Sequence, residues 1–370
     1  MHDTDSAAAH PTDAAIRAAL AGIGDPHTGT DLVASGAVKG IGIDAGAVLV
    51  RVQLGYPAAG WLDTLRGQVE AAVGGVPGVT TVAVEASWRI ATHAVQGELT
   101  PLPGVRNIIA VASGKGGVGK STTSVNLALA LVAEGARAGV LDADIYGPSV
   151  PRMLGIAGKP DTTPERKILP KAAHGLQAMS IGLMIEEDTP MIWRGPMVTQ
   201  ALQQLLNDTQ WDDLDYLVID LPPGTGDIQL TLCQKVPVSA ALIVTTPQDI
   251  ALLDARKALK MFEKVEVPVL GIVENMAVHV CSQCGHAEHV FGAGGGERMA
   301  QQYGVPLLGA LPLDIAIREQ ADSGTPSVAA DPDSAVSAIY RDIARRAAGR
   351  LSQRARNKRI GFPNIVIQNT

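Results

Sequence analysis

Cysteine and aromatic residues are scarce in this chain. It has 3 cysteines in 370 residues, and aromatic side chains make up only 3% of it. So few cysteines exclude a disulfide framework and favour a reducing compartment, in which a C-x-x-C pair indicates metal or redox chemistry. The 40 glycines and the 46% hydrophobic content are typical of an α/β protein with many tight turns.

The chain also lacks a strong charge bias and long apolar runs. Its formal net charge is −7, which gives no general attraction to nucleic acid. No apolar run approaches the ~20 residues needed to cross a bilayer, and the start, MHDTDSAAAH, is too polar for a secretory signal. We therefore predict a cytoplasmic protein with neither a nucleic-acid partner nor a membrane partner.

Hydrophobic patterning divides the chain into a small leading unit and a larger α/β unit. In the larger unit, short continuous apolar runs alternate with helical segments. This alternation predicts a doubly wound, mostly parallel sheet that is covered on both faces and binds ligands where its strands end. The predicted divisions are a disordered N-terminus (1–12), a small α+β domain (13–92), a linker (93–105), a larger α/β domain (106–352) and a basic tail (353–370).

A glycine-rich stretch follows the first strand of the larger unit and opens a helix. Residues 114–121 read GKGGVGKS and match the phosphate-binding pattern G-x-x-x-x-G-K-[ST]. The glycines let backbone N–H groups turn toward phosphates, and the helix start adds a partial positive charge. We predict that Lys120 reaches the phosphates of ATP and that Ser121 binds Mg²⁺. The predicted nucleotide-binding residues of this loop are Gly114, Lys115, Gly116, Gly117, Val118, Gly119, Lys120, Ser121 and Thr122.

A second lysine, Lys115, follows the first glycine of the loop. An ammonium at this position must lie close to a triphosphate, although a solvated loop lysine would also fit the pattern. The variant KGGVGKS resembles the MinD and nitrogenase-iron-protein class of P-loop ATPases. This resemblance implies a catalytic Lys115 that crosses a dimer interface to the nucleotide bound by the partner subunit.

Acidic residues follow two of the later apolar runs. DADIYGPS places Asp142 and Asp144 after the second strand, and DLPPGTGD places Asp220 at the end of another. By the same resemblance, Asp144 positions or deprotonates the attacking water and Asp142 assists near the Mg²⁺. The resemblance also implies that Asp220 holds a Mg²⁺-bound water. Helix N-capping is the alternative for Asp142 and Asp144.

Two further residues are candidates for contacts with the base. Asn275, at the end of VPVLGIVENM, matches the position that reads the adenine edge in this class, with a plain turn asparagine as the alternative. Asp314, in LPLD, is a weaker candidate for a residue near the base.

Cys281 and Cys284 form the C-x-x-C pair of the chain. Together with KGGVGKS, DADIYGPS, DLPPGTGD and ENM, this pair resembles the Mrp/ApbC family of iron–sulfur cluster carrier ATPases. GIGDPHTGTDLVASGAV and GYPA resemble the accessory domain often fused to that family, which usually has an acidic residue where this chain has His27. A [4Fe–4S] cluster takes four thiolates, and a two-fold dimer would bring the same pair twice. The resemblance therefore implies a homodimer that holds the cluster, delivers it to apoprotein clients and hydrolyses ATP.

Other uses of the cysteines stay open. A Cys₄ zinc site could span the same interface, and His286 and His289 could complete a Cys₂His₂ site within one chain. A dithiol redox pair is a third use, whereas Cys233 is expected to be a buried small hydrophobe. The alternative functions are a MinD-like positioning ATPase and a zinc-stabilised, nucleotide-dependent scaffold.

The C-terminus is basic and contains a proline. Its basic residues are Arg350, Arg354, Arg356, Lys358 and Arg359. Pro363 and the β-branched residues after it argue against a terminal amphipathic membrane helix. We expect a solvated basic surface, with an acidic client or nucleic acid as the other candidate contacts.

Overall fold

The computed structural model describes residues 10–97, 99–184 and 195–355. The leading unit holds a three-stranded sheet, a short two-stranded ribbon and two helices. Its elements are α1 (Asp13–Ala21), β1 (Gly24–Asp25), β2 (Thr30–Asp31), β3 (Val38–Asp44), β4 (Ala47–Leu54), α2 (Leu62–Gly74) and β5 (Thr81–Trp88). Thr12, which the sequence placed in a disordered segment, caps α1 by accepting a hydrogen bond from the N–H of Ala15 at 3.2 Å. Residues 1–9 of that segment lie outside the described part.

Alternating burial explains the small sheet of the leading unit. In the central strand β4, Val48, Val50 and Val52 are buried while the residues between them are more exposed. A strand places alternate side chains on opposite faces, and the buried face packs against Leu65 and Val69 of α2. The result is an α+β unit whose apolar interior is continuous with one of the cores of the larger unit.

The larger unit alternates strands and helices. Its strands are β6 (Val105–Ala112), β7 (Ala138–Asp142), β8 (Lys171–Ala173), β9 (Leu176–Ser180), β10 (Leu214–Asp220), β11 (Ala240–Thr245), β12 (Val269–Glu274), β13 (His279–Val280), β14 (Ala287–Glu288) and β15 (Leu307–Ala310). Its helices are α3 (Lys120–Ala133), α4 (Val150–Met153), α5 (Gly195–Asp208), α6 (Asp227–Lys235), α7 (Asp249–Lys264), α8 (Gly295–Tyr303), α9 (Ile315–Asp322), α10 (Ser327–Ala330) and α11 (Ala335–Ser352), with a 3₁₀ turn at Ile181–Leu183.

Eight strands of the larger unit form one sheet in the order β15-β12-β11-β6-β10-β7-β9-β8. The pairings are parallel except for the antiparallel edge pair β8–β9. β13 and β14 form a separate antiparallel hairpin. The predicted doubly wound, mostly parallel sheet is therefore confirmed.

The central strand β6 contributes to two apolar cores. Ile109 and Val111 pack into one cluster, whereas Ile108 and Ala110 pack into the cluster on the other face. The sequence of such a strand is a continuous apolar run, because helices cover both faces of the sheet. Loops that follow β6, β7, β10, β11 and β12 consequently meet at a single edge, where their carboxyl ends lie.

A buried charge network joins the two units. Glu134, in the turn after α3, is fully buried. It accepts hydrogen bonds from Nε of Arg341 at 2.7 Å and from Nη1 of Arg345 at 2.8 Å, both on α11. It also accepts the backbone N–H of Gly60 in the leading unit at 2.9 Å. One carboxylate therefore connects α3, α11 and the leading unit.

His27 extends this network into the leading unit. Its Nδ1 lies 3.1 Å from the hydroxyl of Tyr56, and its Nε2 lies 3.3 Å from Asp342 and 3.1 Å from Nε of Arg345. Burial lowers the pKa of His27, but hydrogen bonds to Asp25 and Asp342 outweigh it and leave that pKa above its ordinary value. His27, which stands where the accessory domain usually has an acidic residue, thus forms part of the junction between the two units.

The predicted linker packs against the larger unit. His93 is 2% exposed, and its backbone N–H donates to Oδ1 of Asn107 at 3.0 Å. Gln96 donates from Nε2 to the carbonyl oxygens of Cys233 at 2.5 Å and Val236 at 2.6 Å. These contacts fix the path of the chain between the two units.

The C-terminal helix α11 lies on the core through Ile343, Ala347 and Leu351. Arg350 is half-buried and Arg354 is exposed, while the other three basic residues of the predicted tail lie outside the described ranges. Across residues 10–97, 99–184 and 195–355, no helix is both long enough and apolar enough to cross a bilayer.

Candidate functional site

The phosphate loop connects β6 to α3 at the carboxyl edge of the sheet. Gly117 and Gly119 adopt φ values of 79° and 82°, a left-handed conformation that glycine accepts without a steric cost. Gly114 packs so closely on α7 that a Cβ there would overlap the backbone of Asp254. The glycines of the motif are therefore required by backbone conformation and by close approach.

Lys120, at the start of α3, is 6% exposed and sits among acidic groups. Its Nζ lies 2.7 Å from Oδ1 of Asp220 and 4.0 Å from Oδ2 of Asp144. Its Nζ also lies 3.3 Å from Oγ of Ser121. The structure thus brings together the predicted phosphate-binding lysine, the predicted magnesium ligand and two of the predicted acidic residues.

Asp220 ends β10 and is fully buried. Its two oxygens accept hydrogen bonds from the hydroxyls of Ser121 at 2.5 Å and Ser124 at 2.7 Å. Hydroxyl and carboxylate oxygens are the hard ligands that Mg²⁺ prefers, so this donor set fits the predicted ion. Ser124 was not predicted from the sequence, although its place one turn after Ser121 on the same helix face could have indicated it.

Asp142 ends β7 and is fully buried. It accepts hydrogen bonds from the backbone N–H groups of Asp144 and Val150 and from the hydroxyl of Ser180, each at 3.1 Å. Burial, reinforced by the negative charge of Asp220, raises the pKa of Asp142 to about 7. Val150 is the first residue of α4, so Asp142 hydrogen-bonds to the start of this helix, although Ser149 is the N-cap residue.

Asp144 faces the phosphate loop and keeps 14% of its side chain exposed. Burial raises its pKa, an effect that the nearby Lys120 ammonium partly offsets. Its carboxylate is therefore close to the phosphate-binding lysine and still reachable by water, as an attacking-water site needs.

Lys115 lies at the surface of the loop and is half-buried. Its Nζ donates to Oε1 of Gln248 at 3.3 Å, just before α7 begins. Gln248 was not predicted from the sequence, because it lies 133 positions away from Lys115. The hydrogen bond to Gln248 holds Lys115 at the same edge of the sheet as Lys120.

Asn275 follows β12 and packs under the phosphate loop. Its Nδ2 donates to the carbonyl oxygen of Val118 at 2.9 Å, and a Cβ on Gly119 would collide with its amide. A contact of Asn275 with adenine stays a prediction. Asp314 caps α9 by accepting the N–H of Ala316 at 2.8 Å.

The cysteine pair lies on the turn of the β13–β14 hairpin. The N–H of Cys281 donates to the carbonyl of His286 at 2.9 Å, and Gly285 donates back to the carbonyl of Cys281 at 2.9 Å. Gly285 takes the left-handed φ of 72° that closes this turn. Hydrogen bonds from the backbone of Cys284 and Gln283 lower the pKa of the Cys281 thiol. A lowered pKa favours the thiolate, which is the form that binds metals and clusters.

The hairpin does not gather further ligands from its own chain. Nowhere in the described ranges do three or more His, Cys, Asp or Glu side chains come together as a metal site. Nδ1 of His289 forms a hydrogen bond of 2.8 Å with the carbonyl oxygen of Ala277. Cys233 is buried elsewhere, and burial raises the pKa of its thiol to about 12, so it is the small hydrophobe expected. The Cys₂His₂ zinc site within one chain is therefore not assembled.

The segment that follows the hairpin contacts the α7 side of the nucleotide edge. A Cβ on Gly295, at the start of α8, would lie 2.7 Å from the carbonyl oxygen of Pro247 and 2.9 Å from Leu252. Pro247 immediately precedes Gln248, which holds Lys115. The cysteine hairpin follows the carboxyl end of β12 and the phosphate loop follows the carboxyl end of β6, so both begin at one edge of the sheet.

A family model described as "NUBPL iron-transfer P-loop NTPase" matches residues 104–348, which is well over half of the chain. The chain belongs to the NUBPL iron-transfer P-loop NTPase family. A second model, described as "Iron-sulfur cluster assembly protein", matches residues 13–85 in the leading unit. The matches confirm the predicted resemblance to an iron–sulfur carrier P-loop NTPase preceded by an accessory domain.

Named relatives of the NUBPL family show how far the similarity extends. An iron–sulfur cluster carrier protein of Pseudomonas fragi is 59% identical over 278 residues, covering 75% of this chain and 97% of the relative. The iron–sulfur cluster transfer protein NUBPL of Mus musculus is 50% identical over 253 residues, covering 68% of this chain and 79% of the relative. A solved nucleotide-binding protein of Archaeoglobus fulgidus in complex with ADP is 37% identical, with a TM-score of 0.54, and covers 60% of this chain and 87% of that protein.

Proposed function

We propose that this chain is an ATP-hydrolysing carrier that binds an iron–sulfur cluster between two copies of itself and passes the cluster to apoproteins. Cys281 and Cys284 carry the proposal, because they sit at the nucleotide edge with no third ligand among the described residues of their own chain. A [4Fe–4S] cluster takes four thiolates, and a two-fold axis beside the hairpin supplies the same pair twice. The names of the relatives support this cargo.

Exposed apolar side chains near both sites support the homodimer. Ile250 and Leu253 on α7 are 70% and 51% exposed, and Tyr146 after β7 is 60% exposed. Val280 and Val290, on either side of the hairpin turn, are about half exposed as well. Apolar groups that flank a ligand edge favour burial against a partner, and a second copy would cover them while pairing the cysteines.

The nucleotide chemistry follows from the positions of the acidic residues. In this proposal Lys120 exchanges its contact with Asp220 for contacts with the β- and γ-phosphates of ATP, and Ser121 and Asp220 would hold Mg²⁺. Bound Mg²⁺ neutralises charge on the phosphate oxygens. Asp144 orients the attacking water, Asp142 fixes the loop that carries Asp144, and Lys115 reaches the nucleotide of the partner subunit.

Coupling between the two sites follows from their shared interface. Any change at the phosphate loop that alters the contact between subunits also alters the distance between the two cysteine pairs, and separation removes half of the thiolates from the cluster. The proposal includes a cytoplasmic location and apoprotein clients as partners, without nucleic acid or membrane. Net charge and composition support this setting.

Anaerobic reconstitution with iron and sulfide tests the shared cluster. We expect a dimer that holds about four irons per two chains, with broad visible absorption. Cys281→Ala and Cys284→Ala should each abolish the absorption, because each removes two of the four thiolates. Cys233→Ala is the matched control and should load normally, since that thiol is buried away from the hairpin. A loaded protein that sediments as a monomer, or one that retains zinc and no sulfide, would disprove the proposal.

A further inference from the structure

A cavity of about 500 Å³ lies where the leading unit meets the larger unit. The ends of β4 and β5 line it from one side, and Arg106 on β6 with Ser352 and Gln353 at the end of α11 line it from the other. Gly55 closes one wall, because a Cβ there would lie 2.8 Å from the Cβ of Ser352. The volume is within the range of small-molecule sites.

The cavity is remote from the nucleotide edge. Arg106 stands near the start of β6, whereas the phosphate loop follows the end of that strand. At about 3.3 Å per residue, the seven residues from Arg106 to Ser113 span roughly 23 Å. Neither ATP hydrolysis nor cluster binding, as described above, uses this region.

Both sequence stretches that set the leading unit apart converge on this cavity. GIGDPHTGTDLVASGAV supplies Asp25, Thr28 and Ser35 to its lining, and GYPA supplies Gly55 and Tyr56. Most of β3 and all of β4 separate the two stretches along the chain. Their meeting at one concave surface gives the leading unit a candidate site of its own.

The lining carries positive charge that the protein does not neutralise. Asp25, the one carboxylate among the described lining residues, already accepts the hydroxyl of Tyr56 at 2.9 Å and the N–H of His27 at 2.9 Å. Arg106 is likewise paired, with two carboxylates of the larger unit. The charges that remain belong to Lys39 and Arg89.

Lys39 and Arg89 stand exposed on opposite sides of the end of β4. They belong to the β3 and β5 sides of the sheet, which lie two strand spacings, or roughly 10 Å, apart. In the described ranges Arg89 has no side-chain partner, and Lys39 donates only to the carbonyl of Gly36 at 2.7 Å.

We propose that this cavity binds a small polyanion with at least two oxyanion groups, either carboxylates or phosphates. Arg89 would bind one oxyanion group through two parallel N–H hydrogen bonds, and the ammonium of Lys39 would form an ion pair with the other. The hydroxyls of Thr28, Ser35 and Ser352 add donors along the walls. Because both units build the walls, bound ligand holds the junction closed and stabilises the folded chain.

Isothermal titration of the full chain with citrate and, separately, with pyrophosphate tests the site. Citrate probes the recognition of paired carboxylates and pyrophosphate probes the recognition of paired phosphates, so the probe that binds identifies the ligand chemistry. We expect saturable binding of at least one probe, a melting temperature raised by about 2 °C or more, and binding at least about tenfold weaker in Arg89→Gln with Lys39→Gln. Both side chains are exposed, so the double variant should melt like the parent without ligand.

Two further variants exclude other binding sites. Arg66→Gln changes an arginine on the outer face of the same unit, paired with Asp63, and should leave binding unchanged. Lys120→Ala disables the phosphate loop and should leave binding at the cavity intact. The proposal is overturned if neither probe saturates, if the double variant binds as the parent does, or if binding disappears in Lys120→Ala instead.

Discussion

The acidic residues around Lys120 differ in how their negative charge is stabilised. Asp220 pairs with the lysine ammonium and with two hydroxyl donors. Asp142 is equally buried but has only neutral donors. Burial of Asp142, reinforced by the negative charge of Asp220, therefore raises the pKa of Asp142.

Replacing Asp142 by Asn should remove a pH dependence of stability in the nucleotide-free protein. The pKa of Asp142 is about 7 in the folded chain and about 3.9 when unfolded. Between those values the folded chain binds more protons, so this group makes stability fall as pH rises from about 4 to about 7. Urea unfolding across that range should show a flatter fall for Asp142→Asn than for the parent. Asp212→Asn, which changes an exposed carboxylate, should keep the parental slope; an unchanged slope for Asp142→Asn refutes the assignment.

Ser124→Ala should weaken the hydrogen bonding that positions the Asp220 carboxylate. The change removes a 2.7 Å hydrogen bond to a fully buried carboxylate and should cost about 1–3 kcal/mol of unfolding free energy, together with a slower ATP hydrolysis rate. Urea denaturation and phosphate release measure the two effects. Thr231→Ala, which removes an exposed hydroxyl on α6, should change both by much less. Equal losses in the two variants would show that Ser124 has no special role.

Among the elements, α3 connects the nucleotide site to the junction between the units. Its first residues form the end of the phosphate loop, and Glu134 follows its last turn. With 14 residues and a rise of 1.5 Å per residue, the helix spans about 21 Å. It therefore provides a rigid link between the phosphate site and the buried charges that hold the leading unit.

Glu134→Gln should loosen that junction. Removing the charge leaves two arginines, 25% and 13% exposed, without their carboxylate, and breaking a buried pair costs about 3 kcal/mol. We expect lower stability in urea and faster proteolysis between residues 89 and 104. Glu70→Gln, on the exposed face of α2, is the control and should resist protease as the parent does. If both variants resist equally, the network does not hold the units together.

At the scale of the whole molecule, the phosphate loop and the cysteine hairpin share one edge. The carboxyl ends of parallel strands place the loops after β6, β11 and β12 side by side. Lys115 and the exposed apolar residues of α7 lie on this same side. In the proposed homodimer, a single subunit interface on this side would complete both the ATP site and the cluster site.

Lys115→Ala should separate dimer formation from nucleotide binding. We expect the variant to bind ATP within about threefold of the parent, because Lys120 and the loop glycines remain, but to lose ATP-dependent dimerisation. Sedimentation with a non-hydrolysable ATP analogue measures the change. Lys260→Ala, which removes an exposed lysine elsewhere on α7, should dimerise normally. ATP-dependent dimers of Lys115→Ala would refute the role of this lysine in the partner's site.

The sequence alone determined the features that depend on neighbouring residues. The phosphate loop, its lysines and the C-x-x-C turn each lie within a few positions, so their spacing predicts a phosphate-binding loop and indicates metal or redox chemistry at the cysteines. Continuous apolar runs likewise predicted the covered parallel sheet, because burial on both faces imposes that pattern.

Only the tertiary structure decided which distant side chains complete the sites. Ser124 and Asp220 are 96 positions apart, and Glu134 and Arg345 are 211 positions apart. The cavity between the units also depends on segments from both ends of the chain. Strand order and helix packing bring these residues together in space. Local sequence spacing cannot predict such pairs, because a hydrogen bond or ion pair depends on distance in space rather than on separation along the chain.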